Sequence, residues 1–251
     1  MKRVKSAIAV SDSRGVRTLH VGGEAIQSAM RIDDPFALAL DYTRCMMAFL
    51  LFLPEPRRAL MIGLGGGSLP KFFYKNLRTT KIRVVELDPK VVAISRAQFA
   101  LPADDARLRV EVGDGAQALA PECCDVLVLD AYHDEEHVQE LATQEFYDAA
   151  FLAVESPGAL VINFMDDDKL FGRYLRRIET SFGGAVVALR ALYDPNITVI
   201  ALKGLPDRIG FDVLRSRADR LESRLGLPFP RYVSRLRGMN PCTAQELIVR
   251  P

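Results

Sequence analysis

The stretch "ALMIGLGGGSLPKFF", residues 59 to 73, decides the fold. An apolar, strand-like run breaks into glycine at 63, 65, 66 and 67, and a helix-like pattern resumes at Leu69. Glycine gives up backbone order and side-chain packing. Four of them in one short turn imply that the main chain comes close to something. A strand–glycine–helix turn also presents backbone N–H groups and a helix N-terminus, which suits a polar ligand. A glycine turn alone is a weak fingerprint, so its surroundings decide what it means.

Downstream the pattern alternates strand and helix. "KIRVVELD" reads as strand and "PKVVAISRAQF" as helix, with Pro89 suited to the first turn. "LRVEVGD" and "CDVLVLDAY" read as strands around the short helix "AQALA". "TQEFYDAAFLAV" is a helix with Thr143 as N-cap. "GALVINF" is a strand, "DKLFGRYLRRIETSF" a helix, and "AVVALRAL" and "NITVIAL" a closing strand pair. This alternation predicts a doubly wound, mostly parallel α/β sheet with an antiparallel edge, Rossmann-like and of the class I methyltransferase type. Upstream, residues 7 to 32 read as a small β-hairpin or meander. Residues 36 to 53 read as a helix stopped by Pro54 and Pro56. Residues 205 to 251 read as an arginine-rich helical arm packed on the main domain. The expected division is 1–54, 55–204 and 205–251.

The 251 residues, 49% of them hydrophobic, suffice for one large core. With 33 basic and 32 acidic residues the net charge of +1 gives no reason to expect nucleic acid or membrane as partner. Residues 207 to 237 hold eight arginines against four acids, which reads as a solvated helical face. The longest apolar run, "CMMAFLLFL", is too short to span a bilayer. The N-terminus lacks a full signal sequence, so a cytoplasmic location is expected. The four cysteines show no CxxC spacing and read as structural thiols. No metal is expected.

The candidate ligand residues sit where strands end. Gly63, Gly65 and Gly67 form the turn after the first strand. Glu86 ends the second strand, where a carboxylate can accept from both hydroxyls of a ribose. Asp114 ends the third, where an acid can meet an adenine amino group, and Gly115 would let the base lie against backbone. The dinucleotide fingerprint G-x-G-x-x-G needs a third glycine where this chain has Ser68. The observed G-x-G-x-G spacing suits an S-adenosyl ligand without pyrophosphate. In "DVLVLDAYHDEEH", Asp130 closes the fourth strand and Asp134, Glu135 and Glu136 crowd the loop beyond it. An acidic mouth attracts a cationic substrate and can accept the proton that an attacking amine must lose. His133 and His137, four residues apart, read as part of a loop over the ligand rather than a metal pair.

These residues resemble the spermidine synthase (polyamine aminopropyltransferase) family, in its branch with a GLGGGS loop. The matching stretches are "LHVGGEAIQS", "YTRCMMAFLLF", "MIGLGGGS", "VVELDPKVV", "VGDGA", "DVLVLDAY" and "TQEFYDAAFLAVESPGALVINF". The first two lie outside the nucleotide-binding core. The resemblance implies transfer of an aminopropyl group from decarboxylated S-adenosylmethionine to a small amine; separately, the apolar hairpin-helix region 19 to 53 reads as able to pair two subunits, so a homodimer is expected. The resemblance also implies that Glu86 holds the ribose, Asp114 meets the adenine and Gln27 lies near the thioether. Asp130 would match the catalytic aspartate, with Tyr42 and Asp134 beside the acceptor.

Three features depart from the family. Gly66 stands where the family has an aspartate that holds the donor's ammonium, D-x-x-D becomes D-x-x-x-D (Asp130 to Asp134), and the N-terminal strand region is short. A vacant Gly66 would suit the carboxylate of intact S-adenosylmethionine, which leaves a methyltransferase of unknown acceptor as the alternative. A catalytically silent nucleoside-binding protein is the third reading.

Overall fold

The computed structural model describes residues 8 to 250, apart from 24, 134, 135 and 138; for 132, 133, 136, 137 and 139 it gives the backbone only. Three strands open the chain: β1 (Ile8–Ser13), β2 (Val16–Val21) and β3 (Ser28–Arg31), all antiparallel. Of the expected hairpin or meander, the structure has the three-stranded meander. Its inner residues Leu19 and Met30 pack with Phe99 of the main domain.

The expected helix over 36–53 shortens to α1 (Asp41–Met46) and a tight 3-10 segment at Met47–Leu51. The central sheet then follows the predicted alternation. It comprises β4 (Arg58–Ile62), α2 (Ser68–Asn76), β5 (Lys81–Glu86), α3 (Pro89–Gln98), β6 (Leu108–Val112) and β7 (Cys124–Leu129). A two-residue pair, β8 (Tyr132–His133) and β9 (Glu136–His137), leads to α4 (Gln144–Ala153), β10 (Val154–Met165), α5 (Phe171–Ser181), β11 (Val186–Arg190) and β12 (Asn196–Lys203). The seven-stranded order is β11-β12-β10-β7-β4-β5-β6, parallel from β10 to β6 and antiparallel through β12 and β11. The strand order reverses beside β4, the first strand laid down. Ligands of doubly wound sheets bind at such a switch point, outside the carboxyl ends of the strands.

Local chemistry explains the helix starts. Asp88 accepts the Lys90 amide at 2.8 Å and Pro89 occupies the first position of α3. Thr143 caps α4 by accepting from the Phe146 amide at 3.1 Å. Successive strand residues point to opposite faces. Ala59 and Met61 of β4 therefore enter one core layer, and Leu60 and Ile62 the other.

The chain closes with β13 (Arg208–Gly210), α6 (Phe211–Leu225), α7 (Phe229–Leu236) and β14 (Glu246–Ile248). Leu214, Ala218 and Leu221 of α6 and Phe229 and Tyr232 of α7 are buried in the same cluster as residues 45–52. Residues 45–52 are therefore covered by the chain's own C-terminal arm. Several arginines of that arm are engaged at home. Arg217 donates to the Leu51 carbonyl at 2.7 Å, Arg235 to Ala191 at 2.8 Å, and Arg237 to Thr243 and Ala244. Arg237 also stacks on Phe211. Among the described residues no helix is long and apolar enough to cross a membrane.

Leu214 is fully buried between α6 and residues 45–52, so Leu214→Ala removes core volume that cannot refill. It lowers the free energy of unfolding by about 2–5 kcal/mol in urea titrations. A loss under about 0.5 kcal/mol would mean the arm is not part of the main core.

Candidate active site

The sheet brings the predicted residues to one edge. The Asp130 amide donates to the Ile62 carbonyl at 3.1 Å, Gly63 to Val85 at 3.0 Å, and Gly113 to Glu86 at 2.9 Å. Asp130, Gly63, Glu86 and Gly113 thus follow four adjacent strands at their carboxyl ends. At about 4.8 Å per strand, Asp130 and the Asp114 loop lie about 14 Å apart across the cleft. That span suits an adenosine joined to a short sulfur-linked tail.

Glu86 is half-buried. Its carboxylate accepts the Leu64 amide at 2.9 Å through Oε2 and the Asp88 amide at 2.9 Å through Oε1. Burial pushes its carboxyl above the ordinary range, and those amides pull it partly back. Each oxygen keeps a lone pair for a further donor, which a ribose diol supplies. Asp114 is exposed and caps the short 3-10 turn Gly115–Ala118 by accepting from the Ala116 amide at 2.9 Å. Gln27 reaches the loop from the N-terminal sheet. A Cβ built on Gly65 would lie 3.8 Å from the Gln27 carbonyl.

Asp130 lies where two polar side chains converge. Tyr42 Oη donates to Oδ2 at 3.2 Å, and Asn163 Nδ2 donates to Oδ1 at 3.2 Å. Asn163 Oδ1 accepts from Asn196 Nδ2 at 3.0 Å. Burial pushes the Asp130 carboxyl up to about 6, against the two hydrogen bonds, which favour the charged form. A carboxylate of that pKa, with a side chain facing a cleft, is suited to accept a proton near neutral pH. Asp134 falls outside the described residues.

The glycines correct the expectation drawn from them. Gly63 has φ +94°, and a Cβ there would sit 2.3 Å from the Asp130 carbonyl oxygen. Gly115 would drive a Cβ to 2.3 Å from Ile62 Cγ2, so its small size serves protein packing rather than a base. Gly66 is not vacant. A Cβ there would meet Phe99 Cδ1 at 2.7 Å and Ser28 Oγ at 2.8 Å. The bare chain at 66 is required by the N-terminal sheet and α3, and not by the tail of a carboxylated donor. Sequence reasoning also missed Asn163 and Asn196. Their signal was present: "GALVINF" and "NITVIAL" each place an asparagine in an apolar strand. An unrelated depression of about 610 Å³ lies at the opposite, amino end of β4–β6. Two of its cations are already used, Arg83 by Glu111 and Arg107 by the carbonyls of Tyr74 and Leu77.

A sheet of this order, with its antiparallel closing pair, is the class I methyltransferase fold. Comparison with known proteins narrows the class. Residues 40–180 match the spermine/spermidine synthase domain, and the chain belongs to that family. It is 35% identical over 244 residues to a polyamine aminopropyltransferase of Chromobacterium violaceum, covering 96% of this chain and 94% of that one. A probable spermidine synthase from Corynebacterium glutamicum has the same fold, with a TM-score of 0.71 at 19% identity, covering 92% of this chain and 91% of that one. A spermidine synthase in complex with the transition-state analogue AdoDATO gives 0.67 at 20% identity over 90% and 85%.

Gly66→Ala places a methyl group against Phe99 and Ser28 and costs about 1–3 kcal/mol of stability. Phe99→Leu, by opening that space, restores part of the loss. Thermal unfolding of the single and double variants reads this out, and a fully stable Gly66→Ala would reopen the vacancy at 66.

Proposed function

We propose that this chain transfers an aminopropyl group from decarboxylated S-adenosylmethionine to a polyamine-type amine. The observation that carries the reading is Asp130, a single carboxylate held by Tyr42 and Asn163 at the switch point, in a family whose curated relatives are named for this transfer. Glu86 holds the ribose and Asp114 the adenine amino group. Gln27 lies along the tail, Gly63, Gly65 and Gly67 shape the turn beneath it, and Gly115 lets the third strand end close on Ile62. Tyr42 borders the acceptor, and Asp134 is read as a second acceptor residue from its place in the sequence alone.

The donor supplies a sulfonium, which makes the adjoining propyl carbon electrophilic. Asp130 orients the acceptor nitrogen toward that carbon. As the C–N bond forms the C–S bond breaks, the electron pair leaves with the thioether sulfur, and Asp130 takes the proton released by nitrogen. Positioning supplies most of the rate, as expected when two reactants are held in line. Tyr42 and Asn163 keep the carboxylate ionised and aimed. The methyltransferase alternative rested on an open Gly66, and the packing of Phe99 and Ser28 removes that support.

Asp130→Asn is expected to lower kcat by about 10²–10⁴ while nucleoside binding by calorimetry is retained. Turnover at the native rate in the variant would refute the role. Tighter binding of the carboxylated donor than of its decarboxylated form would refute the aminopropyl reading. In the native enzyme kcat/KM should fall about tenfold per pH unit below about 6.

Stability carries the opposite sign. The folded Asp130 ionises at about 6 against an ordinary 3.8, so its contribution is full below about 4 and is lost as pH rises through about 6. Asp130→Asn lacks that loss. It should gain up to about 3 kcal/mol relative to the native chain between pH 4 and 7. Denaturant titrations across that range would show a constant difference if Asp130 were not buried at a cost.

A further inference from the structure

Both hydrogen bonds that Asp130 receives lead back to one short turn. Between β11 and β12, residues 191–196 are held by the Ala191 amide donating to the Asn196 carbonyl at 2.9 Å and the Asn196 amide donating to Asp194 at 2.8 Å. From this turn Asp194 Oδ2 accepts the backbone amide of Tyr42 at 2.9 Å. In return Asp41 Oδ2 accepts the amide of Tyr193 at 2.6 Å. The two carboxylates form a reciprocal clamp between the start of α1 and the turn, and Asp41 is buried within it. Two residues beyond Asp194, Asn196 Nδ2 donates to Asn163 Oδ1.

The second arm has a defined direction. An ionised Asp130 only accepts hydrogen bonds, so Asn163 must present its NH₂ to it. Asn163 can do so stably only if its oxygen finds a donor elsewhere, and buried Asn196 is that donor. The first arm fixes the backbone from which Tyr42 Oη reaches Oδ2. Neither Asp194 nor Asn196 touches Asp130. Among the described residues, the polar side chains that reach its carboxylate are Tyr42 from α1 and Asn163 from β10.

We infer that the 191–196 turn is a two-armed positioning element for Asp130, Asp194 acting through Tyr42 and Asn196 acting through Asn163. The inference rests on the reading of Asp130 as the proton acceptor. Losing either arm leaves the carboxylate in place but frees one of its two donors. The carboxylate then ionises at higher pH and points less often at the acceptor nitrogen. A loss of aim falls on kcat rather than on donor affinity, because Glu86 and the glycine turn are untouched.

The test measures the Asp130 carboxyl directly, in protein labelled with 13C at aspartate side chains, its resonance assigned by its loss in Asp130→Asn. Asp194→Ala and Asn196→Ser should each raise the ionisation midpoint above the native value near 6. Asp194→Asn, which keeps an oxygen for the Tyr42 amide, should leave it near native. Asp194→Ala combined with Tyr42→Phe should move it no further than Tyr42→Phe alone, since both act on one donor. In turnover assays kcat should fall about tenfold with the donor KM unchanged. An unmoved midpoint in either folded variant, Asp194→Ala or Asn196→Ser, overturns the inference, as does a double variant whose shifts simply add. Should Asp194→Ala not fold, Asn196→Ser decides. The carboxyl titration needs no substrate, so it fails separately from the assigned reaction, which falls instead if Asp130→Asn turns over normally.

Discussion

At Gly63 a hydrogen atom stands where any other residue would push a methyl group to 2.3 Å from the carbonyl oxygen of Asp130. The same residue holds φ +94°, which side-chain-bearing residues adopt only with strain. This close approach brings the end of β4 against the end of β7. It sets the distance between the glycine turn and the Asp130 carboxylate. The fold around it follows from strand order. With β4 at the reversal point, β7 leaves on one side carrying Asp130, and β5 and β6 on the other carrying Glu86 and Asp114.

The glycine-rich segment therefore answers to the protein before it answers to a ligand. Gly63 yields to a backbone carbonyl, Gly66 to Phe99 and Ser28, Gly67 to Leu101, and Gly115 to Ile62. Ser68 donates to the Ala29 carbonyl at 3.2 Å, and Lys71, buried one turn later, donates to the Phe99 carbonyl at 2.7 Å. The turn is locked from beneath by α3 and from the side by the N-terminal sheet. A loop so tightly determined has little freedom to lose when a ligand arrives, which is the condition for preorganised binding. The N-terminal strands, though few, thereby contribute to the site: β3 sets Ser28 and Gln27 against the loop.

The strand and helix sequence was legible because local chemistry and period agree there. Pro89 after Asp88, Thr143 before α4, and the continuous apolar runs of β4 and β7 each specify one answer. Glu86, Asp114 and Asp130 were legible for the same reason, since a strand's end marks its own place in a parallel sheet. What escaped was whatever depends on pairs distant in sequence. Asp194 and Tyr42 are 152 residues apart, and no periodicity relates them. The stretch 36–53 looked like one helix, and nothing local announces that α6 and α7 return to cover residues 45–52. Gly66 was misread in a more instructive way. Its bareness was assigned to a ligand because Phe99, the occupant, lies 33 positions downstream.

Asp130 illustrates how a site balances burial against charge. A carboxylate in a polar, solvated setting would ionise readily but would be a weak proton acceptor. One buried without donors would stay protonated at neutral pH and accept nothing. Two neutral donors, Tyr42 and Asn163, leave it between these limits, near 6. Neutral donors have a further merit here. A cation beside Asp130 would hold its pKa low and would also repel a positively charged amine, whereas a hydroxyl and an amide orient the carboxylate without contributing opposing charge. Two cations of the C-terminal arm are correspondingly tied to neutral groups, Arg235 to the Ala191 carbonyl and Arg231 to the hydroxyl of Tyr193 at 2.6 Å. In a chain with almost balanced charge, the field at Asp130 thus depends less on net charge than on where each charge is fastened.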